Sequence, residues 1–204
     1  MTDSVVHDIP AGKRARLVAA ACRVLYEQGV ERTTLADIAQ ASDVPVGNVY
    51  YYFKTKDQLV EAAIEAHGDD LRAMLSALDR RRTPQARLKG LIRTLVDQRE
   101  LAARYGCPFG TLACELDKRT NSLDRTAAEI MGILAEWTER QFRSMGRADA
   151  RDLAMALIAS YEGISLITNT FRDPELMLRE GRRLERWIDS MASRTSRRPG
   201  TVRK

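Results

Sequence analysis

The hydrophobic positions of residues 13–28 recur with the 3.6-residue period of an α-helix. Spaced at i, i+4, i+7 and i+8, they are Leu17, Ala21, Val24 and Leu25. Gly29 follows this run, and glycine is common directly after the last turn of a helix. The pattern therefore predicts a first amphipathic helix that ends before Gly29.

Two shorter helical segments follow, and each has its own boundary signals. Thr34 precedes the stretch LADIAQA and has Asp37 three residues later, which is the arrangement of a capping box at the start of a helix. After a break at SDVP, Val49 and Phe53 lie four residues apart and share one face of a third helix. The three consecutive tyrosines at positions 50 to 52 are then predicted to point outward from that helix.

The remaining chain keeps the helical period through several breaks. Thr55 and Gln58 form a Thr-x-x-Gln capping pattern, which predicts that a longer helix starts at Lys56. Later breaks fall at Pro84, at YGCPFG, at Gly146 and at the pair DP that follows TNTFR. Leucine, alanine, arginine and glutamate occur throughout, and these residues favour helix over sheet. The sequence predicts an all-α fold of about nine helices.

Charge and targeting signals narrow the class of protein only slightly. The 204 residues carry 33 basic and 28 acidic side chains, and this excess is too small to establish a polyanionic partner by itself. Basic residues cluster in AGKRARL and in the tail RTSRRPGTVRK, which suits arms near DNA phosphates as well as solvated ends. Neither a signal peptide nor a run of roughly 18 apolar residues is present. We expect a cytoplasmic protein with no membrane partner.

The second and third helices carry the residue types that nucleic-acid binding requires. Two short helices joined by a tight turn predict a helix-turn-helix, whose second helix enters the major groove of DNA. A tyrosine ring packs at the protein–DNA boundary while its hydroxyl donates to a phosphate oxygen. Asn48 can read a base edge, usually that of adenine, and Gly47 leaves room for close backbone approach. Lys56 and Thr34 each stand where a helix begins, and helix N-termini favour a phosphate.

The stretch TTLADIAQASDVPVGNVYYYFKTKDQLV resembles the DNA-binding segment of the TetR family of bacterial transcriptional repressors, and the whole resemblance covers residues 13 to about 60. Pro45 and Val46 depart from the family's usual serine and frequent lysine, and these changes make the operator sequence unpredictable. Val46 could still touch a thymine methyl group. Carried over position by position, the family's DNA-contacting residues are Thr34, Val46, Gly47, Asn48, Tyr50, Tyr51, Tyr52 and Lys56.

The resemblance also implies an arrangement of domains and a set of partners. DNA binding is expected in residues 1–55, regulation and dimerisation in residues 56–194, and a basic tail in residues 195–204. A homodimer built largely from the last two long helices would bind a palindromic operator in double-stranded DNA, and a small-molecule effector of unknown identity would release it. Effector pockets are mostly apolar. The candidates for such a pocket are Phe109, Met131, Trp137, Phe142, Met155, Tyr161 and Phe171.

The cysteines and the alternative functions complete this picture. Some members of the family look similar around Cys107 and respond there to electrophiles, so Cys107 is a candidate sensor thiol; a buried, inert cysteine is the alternative. The sequence has no HExxH, CxxC, GxSxG or phosphate-loop motif, so we expect no catalytic residue, metal or cofactor and no enzyme. Three alternatives stay open: an architectural DNA binder that tolerates any sequence, a thiol-dependent oxidoreductase using Cys107 or Cys114, and a helical interaction bundle.

Overall fold

The structure, a computed structural model, describes residues 12–117 and 123–192. These ranges contain ten α-helices and no strand, which confirms the predicted all-α class. The predicted tail at residues 195–204 lies outside the described residues. In chain order the helices are α1 Lys13–Gln28, α2 Leu35–Ser42, α3 Val46–Tyr52, α4 Lys56–Asp79, α5 Pro84–Asp97, α6 Arg99–Tyr105, α7 Pro108–Leu116, α8 Leu123–Ser144, α9 Ala150–Phe171 and α10 Pro174–Ala192.

The described residues form one helix more than the predicted nine, because a predicted single helix is divided at Gln98. The sequence pattern runs without interruption from Pro84 towards Tyr105, but the backbone turns at Gln98, whose N–H donates to the carbonyls of Leu95 and Val96. This closes α5 and starts α6, and no glycine or proline marks the break in the sequence. None of the described helices is both long enough and apolar enough to cross a membrane.

The described chain forms two compact units. The first comprises the chain up to Asp70 together with Thr111–Ala128, and the second comprises Leu71–Gly110 together with the chain from Glu129 onward. This grouping differs from the predicted division after residue 55, because α4 up to Asp70 and the segment Thr111–Ala128 also pack within the first unit. The assignment of DNA binding to residues 1–55 and of regulation to residues 56–194 stays a prediction.

The first unit is organised around α1, α2 and α3, which pack against one another. Burying each large aliphatic side chain contributes about 1.5–3 kcal/mol, so a small set of such residues is enough to fix these short helices. The buried set includes Leu17, Val24, Ile38, Val44, Val49, Phe53, Leu59 and Ile64.

A bond between distant segments also belongs to the first unit. The carboxylate of Glu115 accepts the backbone N–H of Val30 at 2.6 Å, directly after α1. Gly29 has φ of 81°, a value that favours glycine. A Cβ at this position would also lie 2.6 Å from a carboxylate oxygen of Glu115. The position after α1 therefore requires glycine for its backbone and for its surroundings.

The second unit buries two large aromatic side chains of α8. Trp137 and Phe142 are almost fully enclosed, and the Trp137 Nε1–H donates to Asp79 Oδ1 at 3.1 Å. Phe142 meets Trp187 edge to face, with their ring centroids 5.9 Å apart. Polar bonds also join α5 to α10, where Lys89 pairs with Asp189 at 3.0 Å and Arg93 pairs with Glu185 at 2.8 Å.

Candidate nucleic-acid interface

The capping box predicted at the start of α2 is present. The Asp37 N–H donates to Thr34 Oγ1 at 3.2 Å, and the Thr34 N–H donates to Asp37 Oδ2 at 2.8 Å. The Thr34 hydroxyl also donates to Asp37 Oδ2, and these bonds hold the pKa of the Asp37 carboxyl below its usual range. Because the only hydroxyl hydrogen of Thr34 is used inside the box, a phosphate contact through that hydrogen requires this bond to break.

The turn between α2 and α3 is held by two arginines of α1. Asp43 ends α2 in the left-handed conformation with φ of 51°. The Arg16 guanidinium donates to the carbonyl of Asp43, and the Arg23 guanidinium donates to the carbonyl of Ala41 at 3.0 Å. Arg16 and Arg23 lie seven residues apart and therefore share one face of α1. This spacing does not reveal their acceptors, because these are backbone carbonyls, so the role of the two arginines was not predicted from the sequence.

Helix α3 is anchored from inside by the two predicted residues. Val49 and Phe53 are buried, and the guanidinium of Arg14 lies 5.3 Å from the centroid of the Phe53 ring. Pro45 occupies the position before the helix without a side-chain cap, as its chemistry requires, and its carbonyl accepts the Asn48 N–H at 2.8 Å. These contacts fix the orientation of the short helix.

The opposite side of α3 is exposed to solvent. Tyr50 is 51% exposed and Tyr51 is 75% exposed, and the ring of Tyr51 meets that of Tyr52 edge to face at 4.9 Å. A Cβ built on Gly47 would have no atom within 4 Å, so packing inside the protein does not require glycine there. We call this surface the α3 face; its members are Val46, Gly47, Asn48, Tyr50, Tyr51 and Tyr52.

Two lysines border the α3 face. The Lys54 ammonium donates to the carbonyl of Tyr50 at 2.8 Å, at the end of α3. Lys56 is half-buried at the start of α4, and its ammonium donates to the carbonyl of Glu31 at 3.3 Å. Thr55 accepts the Gln58 N–H at 3.2 Å, which confirms the predicted cap of α4. Both lysine ammoniums thus bond neutral carbonyls, and these bonds leave their positive charge uncompensated.

The seven residues proposed for an effector pocket do not form one group. Trp137 and Phe142 belong to the core of the second unit, whereas Phe109 and Tyr161 pack around Cys107. Met131 is half-buried on α8. Met155 is 53% exposed and Phe171 is 69% exposed, because one side of α9 faces solvent, and the assignment of these seven residues to an effector pocket stays a prediction.

Cys107 lies in an environment that keeps its thiol protonated. Its Sγ donates to Glu162 Oε1 at 3.2 Å and accepts the Gly110 N–H at 3.3 Å. Burial, followed by the nearby Glu162 carboxylate, raises the pKa of the Cys107 thiol to about 12. Because the thiolate is the reactive form, this environment favours the inert alternative. Among the described residues, no three histidine, cysteine or acidic side chains gather where they could hold a metal ion.

Two models of protein families match this chain, one in its N-terminal part and one over most of the remainder. Residues 17–63 match the model of the bacterial regulatory proteins of the tetR family. Residues 84–183 match the model of the C-terminal domain of LmrA/YxaF-like transcriptional regulators. The first match covers the helix-turn-helix described above, and the second covers most of the helices that follow α4.

Individual relatives match over most of their length. The HTH-type transcriptional regulator BetI of Burkholderia mallei is 35% identical over 164 residues, which cover 76% of this chain and 80% of the relative. The HTH-type transcriptional regulator TtgR of Pseudomonas putida is 27% identical over 188 residues, which cover 87% of this chain and 88% of the relative. Both are named as transcriptional regulators, and neither name describes an enzyme.

Solved structures share the fold. A TetR transcriptional regulator from Legionella pneumophila superposes with a TM-score of 0.78 at 20% identity, covering 88% of this chain and 97% of the other. A TetR-family transcriptional regulator from Streptomyces coelicolor superposes with a TM-score of 0.77 at 20% identity, covering 91% and 96%. At this identity the superpositions establish the all-helical architecture alone.

Proposed function

Because the chain belongs to the TetR family of bacterial transcriptional regulators, which are ligand-responsive DNA-binding repressors and not enzymes, we propose that its α3 face binds a palindromic operator. The exposed aromatic surface of α3 is the observation that carries this proposal. Membership of this family excludes the alternative of an enzyme that uses Cys107 or Cys114. A homodimer and a small-molecule effector complete the proposed repressor.

Each residue of the α3 face has a distinct proposed role. Asn48 hydrogen-bonds a base edge, and Val46 packs against a thymine methyl group. The tyrosine hydroxyls donate to phosphates, which fixes the position of the helix in the groove without specifying sequence. Gly47 has no side chain, so the backbone can approach the DNA closely there. Packing inside the protein does not account for this glycine, because a Cβ at that position would meet no atom of the chain within 4 Å.

Lys56 and Thr34 support the edges of this interface. Among the described residues, the ammonium of Lys56 bonds a neutral carbonyl, so it can turn to a phosphate at little cost. Thr34 acts first by fixing the start of α2, because its hydroxyl is engaged in the capping box. Its proposed DNA contact then depends on the backbone N–H groups that open towards solvent in the first turn of α2.

A homodimer is supported by an exposed apolar surface on α9. Small side chains lie beside this surface at Ala156, Ala159 and Gly163, and small residues let two helices approach closely. Exposed positions of α10 carry mainly arginines, among them Arg179 and Arg182, so the apolar contact is assigned to α9. We call this surface the α9 face; its large members are Met155, Leu166, Ile167 and Phe171. A two-fold pairing through it would account for a palindromic site.

Selection of bound duplexes from a randomised DNA library, at near-physiological salt, tests the proposal. Enrichment of a palindrome is the expected result, because two copies of one recognition helix contact two equivalent half-sites. Binding without enrichment that vanishes as salt rises would instead identify an architectural DNA binder held by phosphate contacts. Absence of any binding would identify an interaction bundle, and either of these outcomes would contradict the proposal.

A further inference from the structure

Glu162 of α9 is a carboxylate set among apolar side chains. It lies beside the buried cluster of Cys107, Tyr161 and Met177, against which Phe109 also packs. Its Oε1 accepts the Cys107 thiol at 3.2 Å, and no cationic side chain of the described residues pairs with it. Burial raises the pKa of the Glu162 carboxyl, and the bond from Cys107 offsets only part of this effect. The fold therefore keeps an acidic group where no cation compensates it.

The position of this carboxylate is built into the segment Cys107–Gly110. A Cβ on Gly110 would lie 2.2 Å from Glu162 Oε2, so only glycine leaves room for the carboxylate. The Gly110 N–H also donates to the Cys107 sulfur at 3.3 Å. Cys107 and Gly110 together hold the Glu162 carboxylate in one position. A glutamate that only faced solvent would not require such specific neighbours.

Ser165 supplies a second, independent sign of a missing partner. Its side chain is fully buried, and its Oγ has no hydrogen-bond partner in the described part of the chain. Glu162 lies three residues before Ser165 and accepts the Cys107 thiol, and Asn169 lies four residues after Ser165 and donates to the carbonyl of Ala103 at 3.2 Å. Both therefore contact the segment 103–107. By the helical period Ser165 faces the same segment. A buried hydroxyl without a partner is unfavourable unless an ordered water or a ligand satisfies it.

We propose that Glu162 and Ser165 form the recognition site for a cationic effector, a protonated organic amine. This inference rests on the proposed function, because it names the chemical class of the effector. The ammonium would donate to the Glu162 carboxylate and to Ser165 Oγ, and the organic part would pack against Phe109 and Tyr161. A charge-assisted bond is stronger than the bond from a thiol, so the amine would displace Cys107 from Glu162.

Other chemical classes fit the site less well. An anion would be repelled by the Glu162 carboxylate, which no cation in the described part of the chain neutralises. A neutral alcohol could bond to Ser165, but it would leave the charge of Glu162 uncompensated. Aromatic rings such as those of Phe109 and Tyr161 attract cations through their faces, which again favours the amine.

Calorimetric titration of the purified full chain, without DNA, provides the test. The probes are phenethylammonium, its neutral isostere benzyl methyl ether, and the anion 3-phenylpropionate. We expect saturable binding of the ammonium, tighter than that of the other two probes by roughly 30-fold or more. Equal binding of all three probes, or no binding of the ammonium, would overturn the proposal.

Two variants locate the site. E162Q is expected to weaken ammonium binding by roughly 30-fold, and S165A by roughly threefold to tenfold. E175Q, the same change at an exposed glutamate of α10, is the matched control and should leave it unaltered. The Tm of E162Q at neutral pH should equal or exceed that of the wild type, because a neutral amide replaces a half-buried charge that no cation of the described residues compensates. A lower Tm with unchanged ammonium affinity would assign Glu162 to the fold and overturn the proposal.

Release from DNA separates this inference from the proposed function. Once an operator has been selected, the ammonium is expected to weaken operator binding by the wild type and not by E162Q. Ammonium binding at Glu162 in a protein that selects no operator would refute the proposed function alone. An operator affinity that does not change when the ammonium binds would refute the effector role of the site and leave the proposed function intact.

Discussion

The α3 face and the α9 face both expose large apolar side chains, yet they differ in the polar and charged groups beside those side chains. Tyr51 is 75% exposed and Phe171 is 69% exposed, so exposure alone does not separate the two surfaces. Each large ring of the α3 face carries a hydroxyl, and Asn48 and two lysines lie beside them. The α9 face combines aliphatic and phenyl groups with alanine and glycine. The chemistry around an exposed ring, and not its exposure, indicates whether DNA or a second protein chain covers it.

The largest effect is expected from a charge placed on the α9 face. Leu166→Glu puts two carboxylates into the proposed dimer contact, where their desolvation is unfavourable, and it should produce a monomer with operator affinity reduced by at least about 100-fold. Light scattering coupled to gel filtration measures the first result, and titration of labelled operator measures the second. Leu101→Glu is the matched control, because Leu101 is a 47% exposed leucine outside the α9 face. A dimeric Leu166→Glu protein would remove the α9 face from the interface.

The next effect concerns base recognition by the α3 face. Asn48→Ala removes a side chain that can bond a base edge, and we expect it to cost about 1–3 kcal/mol at the operator. Selection from the randomised library should then show relaxed preference at one base position in each half-site. Equal losses on operator and on random duplexes would contradict a role of Asn48 in base recognition.

A smaller and less selective effect is expected at Lys56. Lys56→Ala should weaken binding to all duplexes, and the slope of the logarithm of affinity against the logarithm of salt concentration should fall by about one. Arg151→Ala, at an exposed cation of α9, is the control and should leave the slope unchanged. A change confined to the operator would show that Lys56 contributes to specificity and not to phosphate attraction.

The smallest effect separates the tyrosine hydroxyls from their rings. Tyr51→Phe keeps the apolar body and should cost about 0.5–1.5 kcal/mol, the usual net contribution of one hydrogen bond. The salt slope should not change, because no charge is removed. A variant that binds as tightly as the wild type would mean that the ring acts by packing alone, and the two faces would then be more alike than their chemistry suggests.

Local signals account for the parts of the fold that the sequence predicted. The box between Thr34 and Asp37 and the anchors Val49 and Phe53 depend on residues only three or four positions apart, so they are visible in the sequence. The break at Gln98 carries no glycine or proline and could not be seen. The long-range bonds from Arg16 to the turn after α2 were also hidden, because their acceptors are backbone carbonyls that any residue supplies.

The burial of the seven proposed effector-pocket residues could not be predicted for a different reason. An apolar stripe on a helix looks the same in sequence whether it faces a core or solvent, so Met155 and Phe171 were assigned to the interior. The true burial of α9 depends on which of its sides meets α6 and α10. Cys107 was predicted both as a sensor and as a buried small residue, and its neighbour Glu162, distant in sequence, decides which environment it has.

The contact between Glu115 and the end of α1 has a consequence for how this sequence can change over time. Glu115 accepts the N–H of Val30, and its carboxylate fills the space that a side chain at Gly29 would need. A substitution at either position alone leaves a clash or an unsatisfied backbone group, so neither position should drift independently. Because the backbone at residue 29 also requires glycine, relatives are expected to keep glycine there and to change residue 115 only to a side chain that still accepts the N–H of Val30.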